Sequence, residues 1–315
     1  MKNKLLSVIV PVYNEKAGIL RFVKEELLPE LDALECKAEV ILVDDGSCDG
    51  TAEILAELAD GEKVKLVTLS RNFGKEMAVS AGLKYAVGDA AIVMDADGQH
   101  PAKYISVFVT KWADGADVVV GIRKGYKRPG LVKSAGSKAY YKMANKLGDD
   151  KIMEGATDFR LISREVIDEY NTFTEHNRVA RGLIDWMGFT RDYVYFTPAE
   201  RKAGKPSYNN KKLTQLALDS FVSMSTKPLK IFGYLGLFIT MLSFGLGVFC
   251  LVQQHILGDP LGLRWNGALE MAILIAFLVG LLMISQSVTA LYISHIFTEA
   301  KGRPLYVVDK KKSKV

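Results

Sequence analysis

Two acidic side chains, Asp95 and Asp97, stand one residue apart at the end of the apolar run AAIVMD, in the stretch VMDADGQHP at 93–101. Like charges that close repel unless something positive lies between them. Carboxylates suit hard cations such as Mg²⁺ or Mn²⁺, which use few protein ligands and take the rest from phosphates and water. Gln99, two residues on, offers a neutral oxygen to the same ion. His100 is open to two readings, a further ligand or a turn residue beside Pro101, and the turn is preferred. A surface turn also produces D-x-D by chance, so the motif gains weight only from closing a buried strand.

That strand belongs to a series. LLSVIVPV (5–12), AEVILVDD (38–45), VKLVTLS (64–70), AAIVMD (90–95) and ADVVVGI (116–122) are short apolar runs. KAGILRFVKEELLPEL, DGTAEILAELAD and GKEMAVSAGLKYAVG, lying between them, carry helical spacing. Near-continuous apolar strands separated by helices predict an α/β domain whose parallel sheet is covered on both faces. Such a sheet binds ligands at the carboxyl ends of its strands. Each strand here ends in polar residues: Tyr13-Asn14-Glu15, Asp44-Asp45, Arg71-Asn72, Asp95-Asp97 and Arg123. Neither G-x-G-x-x-G nor G-x-x-x-x-G-K-[ST] occurs, so neither a dinucleotide fold nor a P-loop is supported.

The composition is that of a globular protein, with 49% hydrophobic and 24% charged residues. A net charge of +5 is too mild to argue nucleic-acid binding. Mean hydropathy is slightly high at +0.11 and points to a part of the chain in lipid. Ile231 to Val252 holds no charge, and its 22 positions span roughly 33 Å as a helix. A bilayer core is about 30 Å thick. Met271 to Ser294 is a second uncharged run, with Glu270 at its margin. A pair of long buried core helices is the alternative. Lys227 and Lys230 precede the first run; Lys301, Arg303 and Lys310-Lys311-Lys312 follow the second, and of lysines and arginines the connecting loop holds only Arg264. The positive-inside rule then puts both ends, and the N-terminal domain, on the cytoplasmic side. Cys36, Cys48 and Cys250 show no metal spacing and LLSVIVPV does not read as a signal peptide, which agrees with a cytosolic face. Lys211–Thr226 places Leu213, Leu216, Ala217, Phe221 and Met224 at helical spacing, for packing on the domain or lying in the membrane interface. Ser134–Leu147 has a similar mix of basic residues with Tyr140 and Tyr141.

PVYNE (11–15), VDDGSCDGT (43–51), RNFGK (71–75), DADGQHP (95–101), DFRL (158–161), ARGLIDWMGF (180–189), STKPLK (225–230) and KGRPLYVV (301–308) follow one another in this order. As a set they resemble the inverting family 2 glycosyltransferases of the GT-A fold, and more closely the polyprenyl-phosphate hexose synthases: bactoprenol glucosyltransferases and dolichyl-phosphate mannose synthases. The likeness covers nearly the whole chain. It implies that Pro11, Tyr13, Glu15, Val43 and Asp45 line the base and ribose of a nucleotide. It implies that Asp95, Ala96, Asp97 and Gln99 surround the metal and diphosphate, with Asp95, Asp97 and Gln99 as the metal set. Arg123 and Arg201 would neutralise phosphate oxygens. Where the family carries a lysine after the Arg201 position this chain reads GKPSY, with Ser207 at that place and Lys205 two residues earlier as the candidate substitute. Asp158 is placed near the acceptor phosphate by the resemblance, whereas an Asp before an apolar run is commonly a helix N-cap. A phosphate monoester has its second pKa near 6, so its oxygen needs little help from a base; Asp158 is open to two readings, a base or a group that orients the acceptor and tunes the charge around it.

The expected organisation is a GT-A domain over 1–210, a juxtamembrane amphipathic helix over 211–227, a transmembrane pair within 228–296 (about 231–252 and 271–294) and a basic cytoplasmic tail over 297–315. The expected reaction moves a hexose, with glucose favoured, from a UDP-sugar to undecaprenyl or another polyprenyl phosphate at the cytoplasmic membrane face. Mg²⁺ or Mn²⁺ assists it, and Asp97, Asp158 and Arg201 lead the catalytic set. N-acetylglucosamine, or mannose from a GDP donor, fits the same reading. Membrane lipid is an expected partner, nucleic acid is not, and a homo-oligomer such as a tetramer is kept open. A processive polysaccharide synthase is the rival enzyme; it typically carries Q-x-x-R-W, where this chain has ARGLIDW, and needs more spans to form a channel. A membrane-tethered nucleotide-sugar binder is the rival without catalysis.

Overall fold

The computed structural model describes residues 1–124, 155–176, 178–198 and 267–315, and singly 245 and 252. Strand β1 (Leu5–Val12) is buried from Leu6 to Val10, the pattern of a strand covered on both faces. It pairs in parallel with β2 (Lys37–Asp44) on one side and with β4 (Ala90–Val93) on the other; β2 in turn pairs in parallel with β3 (Val64–Thr68). These four strands and β5 (Val118–Arg123) fall where the apolar runs predict them. Two more complete the sheet, β6 (Ala156–Ser163) and β7 (Arg191–Phe196), in the order β3-β2-β1-β4-β6-β5-β7. β6 lies antiparallel between β4 and β5, and β7 runs parallel to β5 at the far edge. The fold is therefore a GT-A-type, Rossmann-like mixed sheet, mostly parallel.

Helices cover both faces. The first helical stretch is α1 (Ile19–Arg21), a π-helical turn over Phe22–Leu27, and α2 (Leu28–Asp32). With α3 (Thr51–Leu58) and α5 (Ile105–Ala113) it packs on the face presented by Leu6, Val8 and Val10. α4 (Lys75–Tyr85), α6 (Arg164–Thr172) and α7 (Ala180–Trp186) pack on the other face, against Ile9, Ile41, Val43 and Ile162. The period of two in β1 divides its side chains between these two cores.

The described residues form two units, and helix α8 (Gly267–Ala300) belongs to the second. Among the described residues no helix is long and apolar enough to cross a membrane. The first expected span, 231–252, lies outside the described residues apart from the two single positions; the second, 271–294, falls within α8, only part of whose side chains is described. Those described are largely apolar and exposed, among them Met271, Ile275, Leu282, Ile293, Ile296 and Phe297. Lys211–Thr226 and Ser134–Leu147 also lie outside the described residues.

The segment expected as a basic tail over 297–315 is divided between a helix and the first unit. Helix α8 runs on to Ala300, and Arg303–Val315 belongs to the first unit. It lies antiparallel along β3, with bridges Leu66–Lys314 and Leu69–Val308. Ser70 N–H donates to the Val307 carbonyl at 2.8 Å, and Asp309 N–H to that of Thr68 at 2.8 Å. Tyr306 and Val308 pack against the core on that side. β3 is an edge strand, and its open N–H and C=O groups are satisfied by this segment.

Candidate active site

The sheet register brings the acidic residues together. β4 and β6 are antiparallel with Val93 opposite Arg160, so two steps further Asp95 comes opposite Asp158. Because β6 runs against its neighbours, its beginning lies at the edge where the parallel strands end. Asp158 is thus a strand residue, and the N-cap alternative is overturned: the apolar run after it, FRLI, continues as β6.

Lys75, the first residue of α4, reaches between the two carboxylates. Its Nζ is 2.6 Å from Asp95 Oδ1 and 2.8 Å from Asp158 Oδ2. Burial alone would raise the Asp158 pKa, but Lys75, Arg181 and Arg160 outweigh it and hold the carboxyl at about 2. Burial likewise opposes the charge on Lys75, and Asp95 and Asp158 overcome it, keeping the ammonium protonated well above its ordinary range. Beside them Glu76 accepts the Ala180 N–H at 2.8 Å, and burial, with Asp158 adding to it, pushes its carboxyl up. Arg160, fully buried, points to Asp185 at 3.3 Å and to the carbonyls of Thr157 and Arg181. Lys75, Glu76, Asp158, Arg160, Arg181 and Ile184 line one small cleft.

A second group gathers around Asp97. The Gln99 backbone N–H and side-chain amide both donate to its carboxylate at 3.0 Å, and Arg123 Nη2 donates to Gln99 Oε1 at 3.1 Å. Gln99 therefore links Asp97 to Arg123, a different arrangement from an oxygen turned toward an ion. The Arg123 Nε is buried with no hydrogen-bond partner among the described residues. His100 takes the turn role: Nδ1 accepts the Asp95 N–H at 3.0 Å, and the ring stacks on Phe159. Burial holds its pKa below the ordinary value, so the ring is a neutral acceptor that fixes the loop.

The residues that the resemblance assigns to a nucleotide sit at the ends of β1 and β2. Pro11 and Val43 lie within those strands, directly paired in register. Tyr13 is exposed, and Asn14 has φ of 54°, a left-handed turn that asparagine tolerates. The 14–16 loop is stitched to the 47–51 loop: Asn14 N–H donates to Ser47 Oγ, Glu15 N–H to Thr51 Oγ1, and Cys48 N–H to Asn14 Oδ1. Asp45 is buried and accepts the N–H groups of Phe73 at 2.7 Å and Gly74 at 2.9 Å, while burial raises its pKa. Ala96 is buried between the two acids. Arg201 and Lys205 lie outside the described residues.

Among the described residues no three His, Cys, Asp or Glu side chains gather as a metal cage. The donor set of two carboxylates at one loop, with a cation already drawn to Asp95 and a buried arginine N–H unpaired nearby, matches a divalent ion that shares its coordination with phosphates. Sequence reasoning missed Lys75, Glu76 and Arg160. The available signal for Lys75 was its place in RNFGK, just beyond β3 and opening α4.

Residues 7–171 match the model of Glycosyl transferase family 2. The bactoprenol glucosyl transferase of Shigella phage SfV is 36% identical, over 98% of this chain and 99% of that protein. The prophage bactoprenol glucosyl transferase homolog of Escherichia coli (strain K12) is also 36% identical, again over 98% and 99%. Among solved structures, mannosyl-3-phosphoglycerate synthase from Rubrobacter xylanophilus is similar with a TM-score of 0.48 at 14% identity, over 69% of this chain and 71% of that one.

Proposed function

The chain belongs to glycosyl transferase family 2 and is a glycosyltransferase, and from that premise we propose that it moves glucose from UDP-glucose to the phosphate of a membrane polyprenol, with inversion. The observation that carries this reading is the near-full-length likeness to bactoprenol glucosyl transferases, which extends past the catalytic domain to the terminal segment.

The site chemistry supports it. A phosphate oxygen of the acceptor forms a bond to the anomeric carbon while the bond from that carbon to the donor's diphosphate oxygen breaks; UDP leaves with the electron pair. No proton has to move, because a phosphate monoester is largely ionised near neutral pH. Asp158, held ionised, therefore orients and tunes charge. Asp95 and Asp97 would hold Mg²⁺ or Mn²⁺, which when bound stabilises the leaving diphosphate charge. Arg123, bonded to the same loop through its Nη2, has a buried Nε with no hydrogen-bond partner among the described residues, suited to a phosphate oxygen. Pro11, Tyr13, Glu15, Val43 and Asp45 form the nucleotide side, and Arg201 and Lys205 complete the phosphate side.

The anchor is part of the proposal. The uncharged runs 231–252 and 271–294, flanked by basic residues, support a hairpin in the membrane with the catalytic domain on the cytoplasmic face, where nucleotide sugars and the lipid phosphate meet. The test is to offer the purified protein a panel of UDP-glucose, UDP-N-acetylglucosamine and GDP-mannose with undecaprenyl phosphate and to weigh the lipid product. Addition of one hexose from UDP-glucose is expected. Transfer from another donor alone replaces the sugar, and no lipid product at all sinks the acceptor.

A further inference from the structure

We propose that Lys75 is the anchor for the acceptor's phosphate monoester: its ammonium, shared between Asp95 and Asp158, turns from Asp95 to the phosphate when donor and metal engage Asp95. The inference rests on the function proposed above and assigns the group that recognises its second substrate.

The argument starts from charge. A phosphate dianion has to approach a site that already holds the carboxylates of Asp95, Asp97 and Asp158 and would hold a donor diphosphate as well. Like charges this close exclude it unless a cation faces the approach. The buried cation Arg160 is committed to Asp185 and to two backbone carbonyls. Arg123 does not line the cleft beside Asp158, and its Nη2 donates to Gln99. Lys75 is different. Its side chain is one-third exposed, it lines the cleft that also contains Asp158, and both of its partners are carboxylates; Arg181, exposed on the same cleft, adds a second positive charge to the approach.

Its two bonds have unequal futures. Asp158 belongs to β6 and is not among the residues that would hold the metal, so that bond persists. Asp95 closes β4 in the D-x-D, and a divalent ion there competes directly with the ammonium for its carboxylate. Lysine carries three donors on a flexible stem. It can therefore keep Asp158 and redirect a second N–H. An acceptor phosphate entering the cleft beside Asp158 would be the group that this N–H meets. Asp158, on this account, is a positioning residue: it keeps the ammonium in the cleft after Asp95 is taken.

The test uses the full-length protein loaded with UDP and Mn²⁺, and reads the affinity for farnesyl phosphate directly, by calorimetry, in the wild type, Lys75→Met and Lys75→Arg. Loss of one charge-assisted contact predicts at least about tenfold weaker farnesyl phosphate binding in Lys75→Met. Lys75→Arg is expected to recover part of it; UDP affinity with Mn²⁺ is expected to be kept in Lys75→Arg and kept or raised in Lys75→Met, where the ion no longer competes with an ammonium for Asp95. Retained UDP affinity also reports an intact fold. Equal farnesyl phosphate binding in wild type and Lys75→Met overturns the assignment. So does a parallel loss of UDP and farnesyl phosphate, which would assign Lys75 to the donor. Failure of the underlying function looks different: a wild type that binds farnesyl phosphate and transfers no hexose to it.

Discussion

An ammonium 2.6 Å from one carboxylate and 2.8 Å from another limits what Asp158 can do in the reaction. A carboxyl held at about 2 is a poor proton acceptor near neutrality. Its folded value lies below the ordinary value near 3.9, so the stability it contributes is present above that pH and is lost as pH falls toward about 2. Across a working range of about pH 5 to 9 Asp158 stays ionised, and the acid limb of the pH–rate profile should come from the acceptor phosphate, near its second pKa of about 6. Asp158→Asn should then lower kcat by roughly tenfold or more while the acid limb stays near pH 6. A limb that vanishes in that variant would restore Asp158 as the base. Asp97→Asn should cost at least about 10²-fold in turnover, because several kcal/mol of charge stabilisation is at stake at about 1.36 kcal/mol per decade. Full activity of the wild type in excess EDTA would defeat that expectation. The D-x-D was legible because it closes an apolar run. Lys75 was not, because its contact with Asp158 spans 83 residues and is made by the antiparallel return of β6, not by any local pattern.

At the scale of elements, β1 to β5 were readable as apolar runs between helices, whereas β6 and β7 were not. β6 reads ATDFRLIS: Asp158 and Arg160 interrupt the apolar pattern, and only Asp185 and Lys75 across the fold explain how both charges are accommodated. β7, RDYVYF, is an edge strand with alternating exposure and a polar start. The β5–β6 pairing carries an irregularity between Val120 and Ile122, at Gly121. A Cβ on Gly121 would lie 2.7 Å from the Phe159 carbonyl oxygen, a backbone atom that cannot rotate away. Gly121→Ala should therefore separate the strands next to Asp158 and Arg123, lowering stability by about 1–3 kcal/mol and transfer along with it. Denaturant unfolding with m unchanged would measure it, and a neutral result would mean that the strands yield freely. The terminal segment is the other element that local reading missed. KGRPLYVV was recognisable as a motif, but its strand pairing to β3 depends on which edge of the sheet is open. Ser70, bonded to Val307, is followed by Arg71–Gly74, whose amides hold Asp45. Deleting 303–315 should weaken UDP binding by about tenfold, as one or two lost hydrogen bonds near 1 kcal/mol each loosen that loop. Replacing Lys310, Lys311 and Lys312 together by alanine should leave UDP affinity alone, since the pairing uses backbone groups. The opposite pattern would make the segment a charge patch.

For the whole molecule, the pairing of the terminal segment with β3 changes how the proposed anchor has to be tested. At 1.5 Å per residue the 34 residues of α8 measure about 50 Å, well beyond a bilayer core of about 30 Å. On the proposed reading the uncharged stretch 271–294 would be the part held in the membrane, followed by Glu299, Lys301 and the segment that pairs with β3. Cutting the chain at 226 would thus remove the proposed anchor and the terminal segment that pairs with β3 together, and a loss of activity would not distinguish them. A variant in which 227–302 is replaced by a long Gly/Ser linker keeps the terminal strand. It should bind UDP with Mn²⁺ as the intact protein does and use short, water-soluble prenyl phosphates at a comparable rate. Undecaprenyl phosphate embedded in vesicles should be glycosylated at least about tenfold more slowly, because the acceptor is no longer held at high effective concentration beside the site. Restoring the rate by tethering the linker variant to vesicles through an N-terminal His tag and a nickel-chelating lipid would show that proximity is the whole contribution. If the untethered variant works on vesicles as fast as the intact protein, 227–302 serves as an address and takes no part in presenting the lipid.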